Sequence, residues 1–337
     1  REARKHVEKA REQVAALCHV SDLDQVTFTS CATESINTIH SGYRDKPVLI
    51  SAIEHPAVIA AAPHAEKIPV TSDGVINMEA YKKLLKTRTP KLVSVMLVNS
   101  ETGVIQPIKE LAALAHEAGA LFHTDAVQGA GRIDISLDTL GVDFMSLSAH
   151  KFAGPQGVGA IIKRDGVELP KFILGGGQEK NCRAGTHNTA GIAGIGLAAE
   201  LALKNMPHYD ALQKLRDDME HRIYEIADQA ARPPACGHGV TIYGADAPRV
   251  GNTTNIGLAG IPAQTHMMAL DLDGIAVSSG SACSSGAFKA SHVLMAMGAT
   301  DEEAKSALRI SLGWATTQSD IERFLESWKK IVDRNKN

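Results

Sequence analysis

Phe144-Met145-Ser146-Leu147-Ser148-Ala149-His150-Lys151-Phe152-Ala153-Gly154-Pro155 is the stretch from which the fold is read. An apolar strand runs into a polar cluster and leaves through a lysine. The run that follows, Gln156-Gly157-Val158-Gly159-Ala160, is glycine-rich and can bring backbone close to a ligand. Lys151 follows a buried-looking strand, with Ser148 and His150 beside it, instead of lying among charges on a helix face. Desolvation in such a place disfavours the ammonium and frees the amine as a nucleophile. A lysine that merely opens a loop fits the same residues, and the rest of the chain decides between the two.

Upstream, strands alternate with helices. The chain opens in a helix, with Val7, Ala10, Val14 and Leu17 at helical spacing. Gln25–Thr29 reads as a strand that enters Ser30-Cys31-Ala32-Thr33-Glu34-Ser35, a tight turn and helix start. That geometry collects phosphate on free backbone N–H groups, although a plainly capped helix has the same residues. Strands follow at Pro47–Ser51, Lys67–Val70, Leu92–Val98 and Leu121–Thr124, with helices at Met78–Lys86 and Pro107–Ala118. Strands that look buried on both faces and alternate with helices predict a mostly parallel sheet covered by helices, an α/β fold. Thr33, His55, Asn99, Asp125, Gln128, Ser148, His150 and Lys151 all gather at the C-terminal ends of these strands, where open α/β sheets bind ligands.

Beyond Ala160 the pattern changes. Helices are expected at Thr189–Lys204 and Tyr209–Ala231, then shorter elements at Thr253–Ile256, Gln264–Leu270, Ile275–Val277, His292–Met297 and Ala307–Leu312, and a last helix over Ser319–Arg334. The chain is thus expected to divide into a large domain, 1–205, and a connecting helix with a smaller α+β domain, 206–337.

The bulk properties exclude several classes. The 337 residues are 44% hydrophobic and 22% charged, with a net charge of −3 and no long basic run, which argues against direct nucleic-acid binding. The weakly polar stretch Thr189–Leu203 is too short to span a bilayer and contains Glu200. The charged start, Arg1-Glu2-Ala3-Arg4-Lys5-His6, lacks the apolar core of a signal peptide. Five scattered cysteines without zinc spacing fit free thiols in a reducing, cytoplasmic setting, and no carboxylates stand at metal spacing.

A lysine amine, a carboxylate at a strand end and a phosphate-collecting turn are the three handles of pyridoxal 5′-phosphate. Lys151 can form a Schiff base, Asp125 can keep a pyridine nitrogen protonated, His55 can stack on the ring, and Gln128 can reach its phenolic oxygen. A helix cap or a metal ligand remains open for Asp125. In Ser279-Gly280-Ser281-Ala282-Cys283-Ser284-Ser285-Gly286 the cysteine has no apolar face to pack on, which points to a reactive thiol on an exposed loop. Arg309, within Ala307-Leu308-Arg309-Ile310-Ser311-Leu312, is a charge in an apolar strand. It suits either an anion or a salt bridge.

Eight stretches in one order carry a resemblance over nearly the whole chain: Phe28–Ser35, Glu54–Val58, Glu101–Pro107, His123–Gln128, Ser148–Lys151, Arg183–Thr186, Ser278–Cys283 and Leu308–Gly313. They resemble the cysteine desulfurases of the NifS and IscS type, which are fold-type I, class V aminotransferase-like enzymes. The cysteine loop is similar to that of the group with the long, mobile form. The resemblance implies that Lys151 anchors the cofactor and that His55 stacks on it and moves protons. It implies contacts of Asp125 with the pyridine nitrogen and Gln128 with the phenolic oxygen. It places the phosphate on Thr33, Ser148 and His150, with Ala32 and Asn99 in the same cofactor set, and has Thr186 reach the phosphate of the neighbouring subunit in a homodimer. Arg309 and Ser100 would bind substrate L-cysteine, and Cys283 would take its sulfur as a persulfide, leaving alanine. The sulfur would pass to an acceptor such as an iron–sulfur scaffold or a tRNA-thiolation relay. A selenocysteine lyase, another aminotransferase, or an inactive partner-binding relative would share the fold.

Three departures accompany the resemblance. The family carries a further N-terminal segment before the point where this chain begins. Ser100 stands where the family has asparagine, with one donor instead of two. Cys31 replaces a glycine, so strain or crowding is expected in the phosphate turn, and Cys182 is a candidate second thiol nearby.

Overall fold

The computed structural model describes residues 1–230, 239–279 and 289–334. The chain forms two compact units. The first comprises 1–69, 76–99 and 106–206, and the second 70–75, 100–105 and 207–337. The long break follows Met206, and two short segments of the N-terminal half join the second unit.

The first unit contains α1 (Glu2–Leu17), β1 (Val26–Thr29), α2 (Ala32–Ser41), β2 (Val48–Ser51), α3 (Pro56–Ala61), β3 (Glu66–Ile68), α4 (Met78–Arg88), β4 (Leu92–Ser94), α5 (Ile108–Glu117), β5 (Leu121–Asp125), α6 (Leu137–Leu140), β6 (Phe144–Ser148), β7 (Gly159–Lys163) and α7 (Thr189–Asn205). Seven strands form one sheet in the order β1-β7-β6-β5-β4-β2-β3. β3, β2, β4, β5 and β6 run parallel, and β7 runs antiparallel to both β6 and β1. β1 therefore points the same way as β6, and its C-terminal end lies on the same sheet edge. Apart from the edge strand β3, the strands are almost wholly buried, as doubly covered strands require. α2 packs Ile36 and Ile39 against Val48, Ile50, Leu92, Phe144 and Ile161.

Two strands differ from the sequence reading. The apolar run Leu92–Val98 is a strand only to Ser94. On one side the ladder goes on, since Val95 and Leu97 N–H donate to the carbonyls of His123 and Asp125. On the other side the Met96 N–H is taken by Oε1 of Glu54, at 2.8 Å, instead of by a strand. The second difference is β7, read as glycine-rich loop. Its first residue, Gly159, pairs with both Ser148 and Thr29. A Cβ there would lie 2.6 Å from the Leu147 carbonyl oxygen and 2.8 Å from the Cys31 carbonyl carbon, so only glycine fits.

α1 docks on α7, where Gly196 removes the Cβ that would otherwise lie 2.5 Å from Cα of Ala10. Arg11 of α1 makes a buried ion pair with Glu179: Nη1 donates to Oε2 at 2.8 Å and Nη2 to Oε1 at 3.0 Å. The same carboxylate accepts Phe28 N–H at 2.7 Å and His187 Nε2 at 2.6 Å. Four donors saturate it, which is what a buried carboxylate needs. Glu179 holds this place in the left-handed region, φ 44°, followed by Lys180 at 54° and Asn181 at 68°. Such strain persists where surrounding bonds over-determine it.

The second unit contains α8 (His208–Ala230), β8 (Val240–Ile242), β9 (Thr253–Leu258), α9 (Ala263–Leu272), β10 (Ser278–Ser279), α10 (His292–Ala296), α11 (Asp301–Ser306), β11 (Ala307–Ser311) and α12 (Gln318–Arg334). Its sheet, in the order β10-β11-β9-β8, is antiparallel. Residues of α8, α9 and α12 share one apolar core with it around Trp328, which stacks on Phe324 at 6.1 Å. Ile275–Val277 is irregular, and the strand begins at Ser278. Among the described residues no helix is long and apolar enough to cross a membrane.

Candidate active site

In the first unit the ends of β1, β2, β4, β5 and β6 bring the polar residues singled out in the sequence to one edge of the sheet. Asp125 ends β5 and is buried. Its Oδ1 accepts the Val127 N–H at 3.0 Å, the one hydrogen bond to this carboxylate among the described residues. Burial pushes its pKa up to about 6, against the pull of the Val127 N–H and the Lys151 ammonium. A carboxylate in that state gains from a cationic hydrogen-bond donor.

Ser148 ends β6, and its Oγ is 3.1 Å from Nδ1 of His150. Burial, with the neighbouring Lys151 charge, lowers the His150 pKa. Lys151 lies in the short 3-10 turn Ala149–Phe152 and is exposed. This corrects the expectation of a desolvated amine, since the lysine sits in a turn past the buried strand and is open to solvent. Arg132 holds the turn, Nη2 donating to the Lys151 carbonyl at 3.0 Å and Nη1 to the Gln128 carbonyl at 2.8 Å. The Gln128 side chain is half-buried.

α2 begins at Ala32, followed by the exposed Thr33. Its N-cap, Cys31, makes no side-chain cap hydrogen bond, which leaves the first-turn N–H groups uncapped by it. Cys31 is extended, φ −178° and ψ 171°, so the expected strain is absent. Close approach here is provided by Gly159. Glu34 would place a negative charge at this helix start, but Arg183 neutralises it with bonds of 2.8 and 3.1 Å. Those bonds bring the segment Arg183–Thr186 to α2 of the same chain; Thr186 itself is exposed. Cys182 is half-buried against the core beside α2.

His55 caps α3, its Nδ1 accepting the Ala57 N–H at 3.1 Å. Beneath it Glu54 is fully buried, accepting from Ser51 Oγ at 2.5 Å and from Met96 N. Burial, with the nearby Asp125 charge, raises its pKa to about 8. Asn99 Nδ2 donates to the Ile53 carbonyl at 3.2 Å. The ends of β2 and β4 are thus tied twice, and both His55 and Asn99 are set by the ties.

In the second unit Arg309 stands in β11, half-buried, with Nη1 donating to the Ser100 carbonyl at 3.1 Å. Cys283 lies outside the described residues. Among the described residues no cluster of His, Cys, Asp or Glu is arranged to hold a metal ion.

The donor set at the sheet edge of the first unit fits pyridoxal 5′-phosphate. It offers an uncapped helix start with its acidic residue neutralised, and a buried carboxylate whose one hydrogen bond leaves room for a ring N–H. Glu54, Arg132, Gly159 and Arg183 were not assigned to the site from the sequence. Gly159 lay in the glycine-rich run read as allowing close backbone approach, Arg183 in one of the stretches that carry the resemblance, and Glu54 showed as a charge before His55-Pro56 at the exit of an apolar run, whereas Arg132 had no signal.

The class V aminotransferase family model matches residues 1–324. A cysteine desulfurase of Sinorhizobium fredii is 41% identical over 339 residues, covering 96% of this chain and 85% of that protein. The cysteine desulfurase IscS of Dictyoglomus turgidum is 38% identical over 352 residues, covering 99% and 85%. Among solved structures, the NifS-like protein of Rickettsia africae superposes with a TM-score of 0.88 at 37% identity, covering 99% of this chain and 89% of that one. The chain belongs to the class V aminotransferase family, in its cysteine desulfurase group.

Proposed function

We propose that the chain is a pyridoxal-phosphate-dependent cysteine desulfurase that converts L-cysteine to L-alanine and carries the sulfur away on Cys283. The observation that supports this most is the buried Asp125 carboxylate, coupled to Lys151 at the ends of adjacent parallel strands. The names of the relatives support the choice of substrate.

The cofactor, when bound, supplies an electron sink that loosens the bonds around the α-carbon of an amino acid. The chain's own residues do the rest. Lys151 provides the amine that retains the cofactor. Asp125 would accept the hydrogen bond of the protonated ring nitrogen and keep that nitrogen charged. Ala32 and Thr33 at the start of α2, with Ser148 and His150, would hold the phosphate, and Gln128 and Asn99 would complete the cofactor set. In the neutral His55 ring, Nδ1 accepts from Ala57 N–H, so the proton resides on Nε2, the atom from which it is moved. Arg309 pairs with the substrate carboxylate and Ser100 lines that end. The Cys283 thiolate attacks the substrate sulfur: the S–S bond forms as the carbon–sulfur bond breaks, and the carbon takes a proton to become alanine.

Thr186 is read as reaching a second subunit. The exposed Leu197 and Leu201, one turn apart on α7, support a homodimer. The free thiols Cys18, Cys31 and Cys182 support a reducing, cytoplasmic setting, and the sulfur acceptor is read as an iron–sulfur scaffold or thiolation protein.

The purified protein with cofactor is expected to show a visible absorption band that borohydride fixes onto the peptide bearing Lys151. Lys151→Ala should lose that band. A band retained in the variant would exclude Lys151 as the anchor.

A further inference from the structure

Glu101 is buried in the second unit and lies one residue beyond the carbonyl that Arg309 holds. Two side chains hold it and a third holds the residue before it. Ser291 Oγ donates to its carboxylate Oε2 at 2.5 Å. Asn255 Nδ2 donates to its carbonyl oxygen at 3.3 Å. Arg309 Nη1 donates to the preceding carbonyl, that of Ser100, at 3.1 Å. Asn255 and Arg309 are paired residues of β9 and β11, so two neighbouring side chains of one ladder grip the two carbonyls of one dipeptide. Ser291 is also the N-cap of α10, accepting the Leu294 N–H at 3.2 Å, and follows Cys283 by eight residues in the sequence. Arg309 keeps donors in hand: among the described residues its buried Nε has no hydrogen-bond partner.

We propose that Glu101 is a positioning residue for Arg309: clamped by Ser291 and Asn255, it fixes the Ser100 carbonyl that aims the guanidinium, and through that aim it sets the affinity for the substrate's carboxylate. This rests on the reading of Arg309 as the carboxylate-binding group. A guanidinium with one nitrogen fixed to a rigid carbonyl loses less freedom when its other donors engage an anion. Removing the Glu101 side chain unties the dipeptide from α10, and the arginine then has to be ordered by the ligand. The Arg309 charge acts on Glu101 in turn, pulling down a pKa that burial drives up.

The test compares binding of L-alanine and of its decarboxylated analogue ethylamine to the holoenzyme, followed through the cofactor's absorption. Glu101→Ala is expected to weaken L-alanine about tenfold and to leave ethylamine unchanged. Glu101→Gln, which keeps an oxygen for the Ser291 hydroxyl, should return L-alanine to within about twofold of the unsubstituted protein. Ser291→Ala removes this donor together with the α10 cap and should weaken L-alanine about threefold while leaving ethylamine unchanged, which keeps the test open if Glu101→Ala does not fold. Equal weakening of both ligands, or none of either in Glu101→Ala and Ser291→Ala, would overturn the proposal. Alanine release from L-cysteine by the unsubstituted enzyme is measured alongside. Its absence would sink the desulfurase reading while the ratio of the two affinities still reports on Glu101.

Discussion

Arg132 and Lys151 are joined through the backbone: Nη2 of the arginine donates to the lysine's carbonyl at 3.0 Å. Its other terminal nitrogen holds the Gln128 carbonyl, so one side chain spans the turns after β5 and β6. Charge-assisted bonds of this kind contribute about 1.5–3 kcal/mol each when buried, and less at this half-exposed site. Arg132→Lys keeps the charge but cannot bridge two carbonyls with one planar group. It is expected to weaken cofactor binding about tenfold in an equilibrium titration, with a Tm loss of a few degrees. Unchanged cofactor affinity would show that the bridge does not position Lys151.

The buried carboxyls make stability depend on pH. Glu54 titrates at about 8 and Glu101 at about 7, both above the ordinary carboxyl value. Each holds its proton to higher pH in the folded than in the unfolded chain. Their contribution is therefore full below the unfolded value and is lost as pH rises through the folded one. His40, His123 and His266 are pushed down by burial and act in the opposite direction until the imidazoles of the unfolded chain have lost their protons, up to about pH 7.5. The clean window is thus about pH 7.5 to 9, where cofactor-free protein is expected to lose on the order of 1 kcal/mol. Glu54→Gln imitates the protonated side chain and should remove most of that slope in chemical denaturation. A stability that rises across the window would contradict the burial of Glu54.

Gly159 tests the close approach of β1, β6 and β7. A methyl group there meets two backbones, and overpacking of this kind costs about 1–3 kcal/mol. Gly159→Ala is expected to lower Tm and to weaken the cofactor, because the start of α2 must shift. Gly166→Ala is the control: its φ of 74° is strained for alanine, but its Cβ meets nothing within 4 Å. It should cost about 1 kcal/mol without touching cofactor affinity. Equal effects of the two substitutions on the cofactor would remove Gly159 from the account.

The sheet edge was legible because Asp125, Ser148 and Asn99 each stand where a short strand-like segment gives out, and a polar residue at the end of a buried strand has few other uses. β7 was hidden because Gly157-Val158-Gly159-Ala160 carries too little side chain to show a strand's period. β4 looked longer than it is because its last ladder partner is the Glu54 side chain, and a residue 42 positions away leaves no local trace. Arg132 escaped for a similar reason, since its partners are carbonyls, which every residue has. Cys31 looked strained only because a glycine was expected there; the extended backbone accepts any residue, and the demand for glycine falls on Gly159 instead.

Sulfur from L-cysteine is expected to leave on Cys283. The most direct measurement is a single turnover with isotopically labelled L-cysteine, quantifying alanine and locating the labelled sulfur by peptide mass. The expected result is one alanine per active site and one extra sulfur on the peptide containing Cys283. Cys283→Ser should keep the cofactor band but form neither product. Alanine formed at an undiminished rate by Cys283→Ser, or labelled sulfur on Cys31 or Cys182 in its place, would contradict the account.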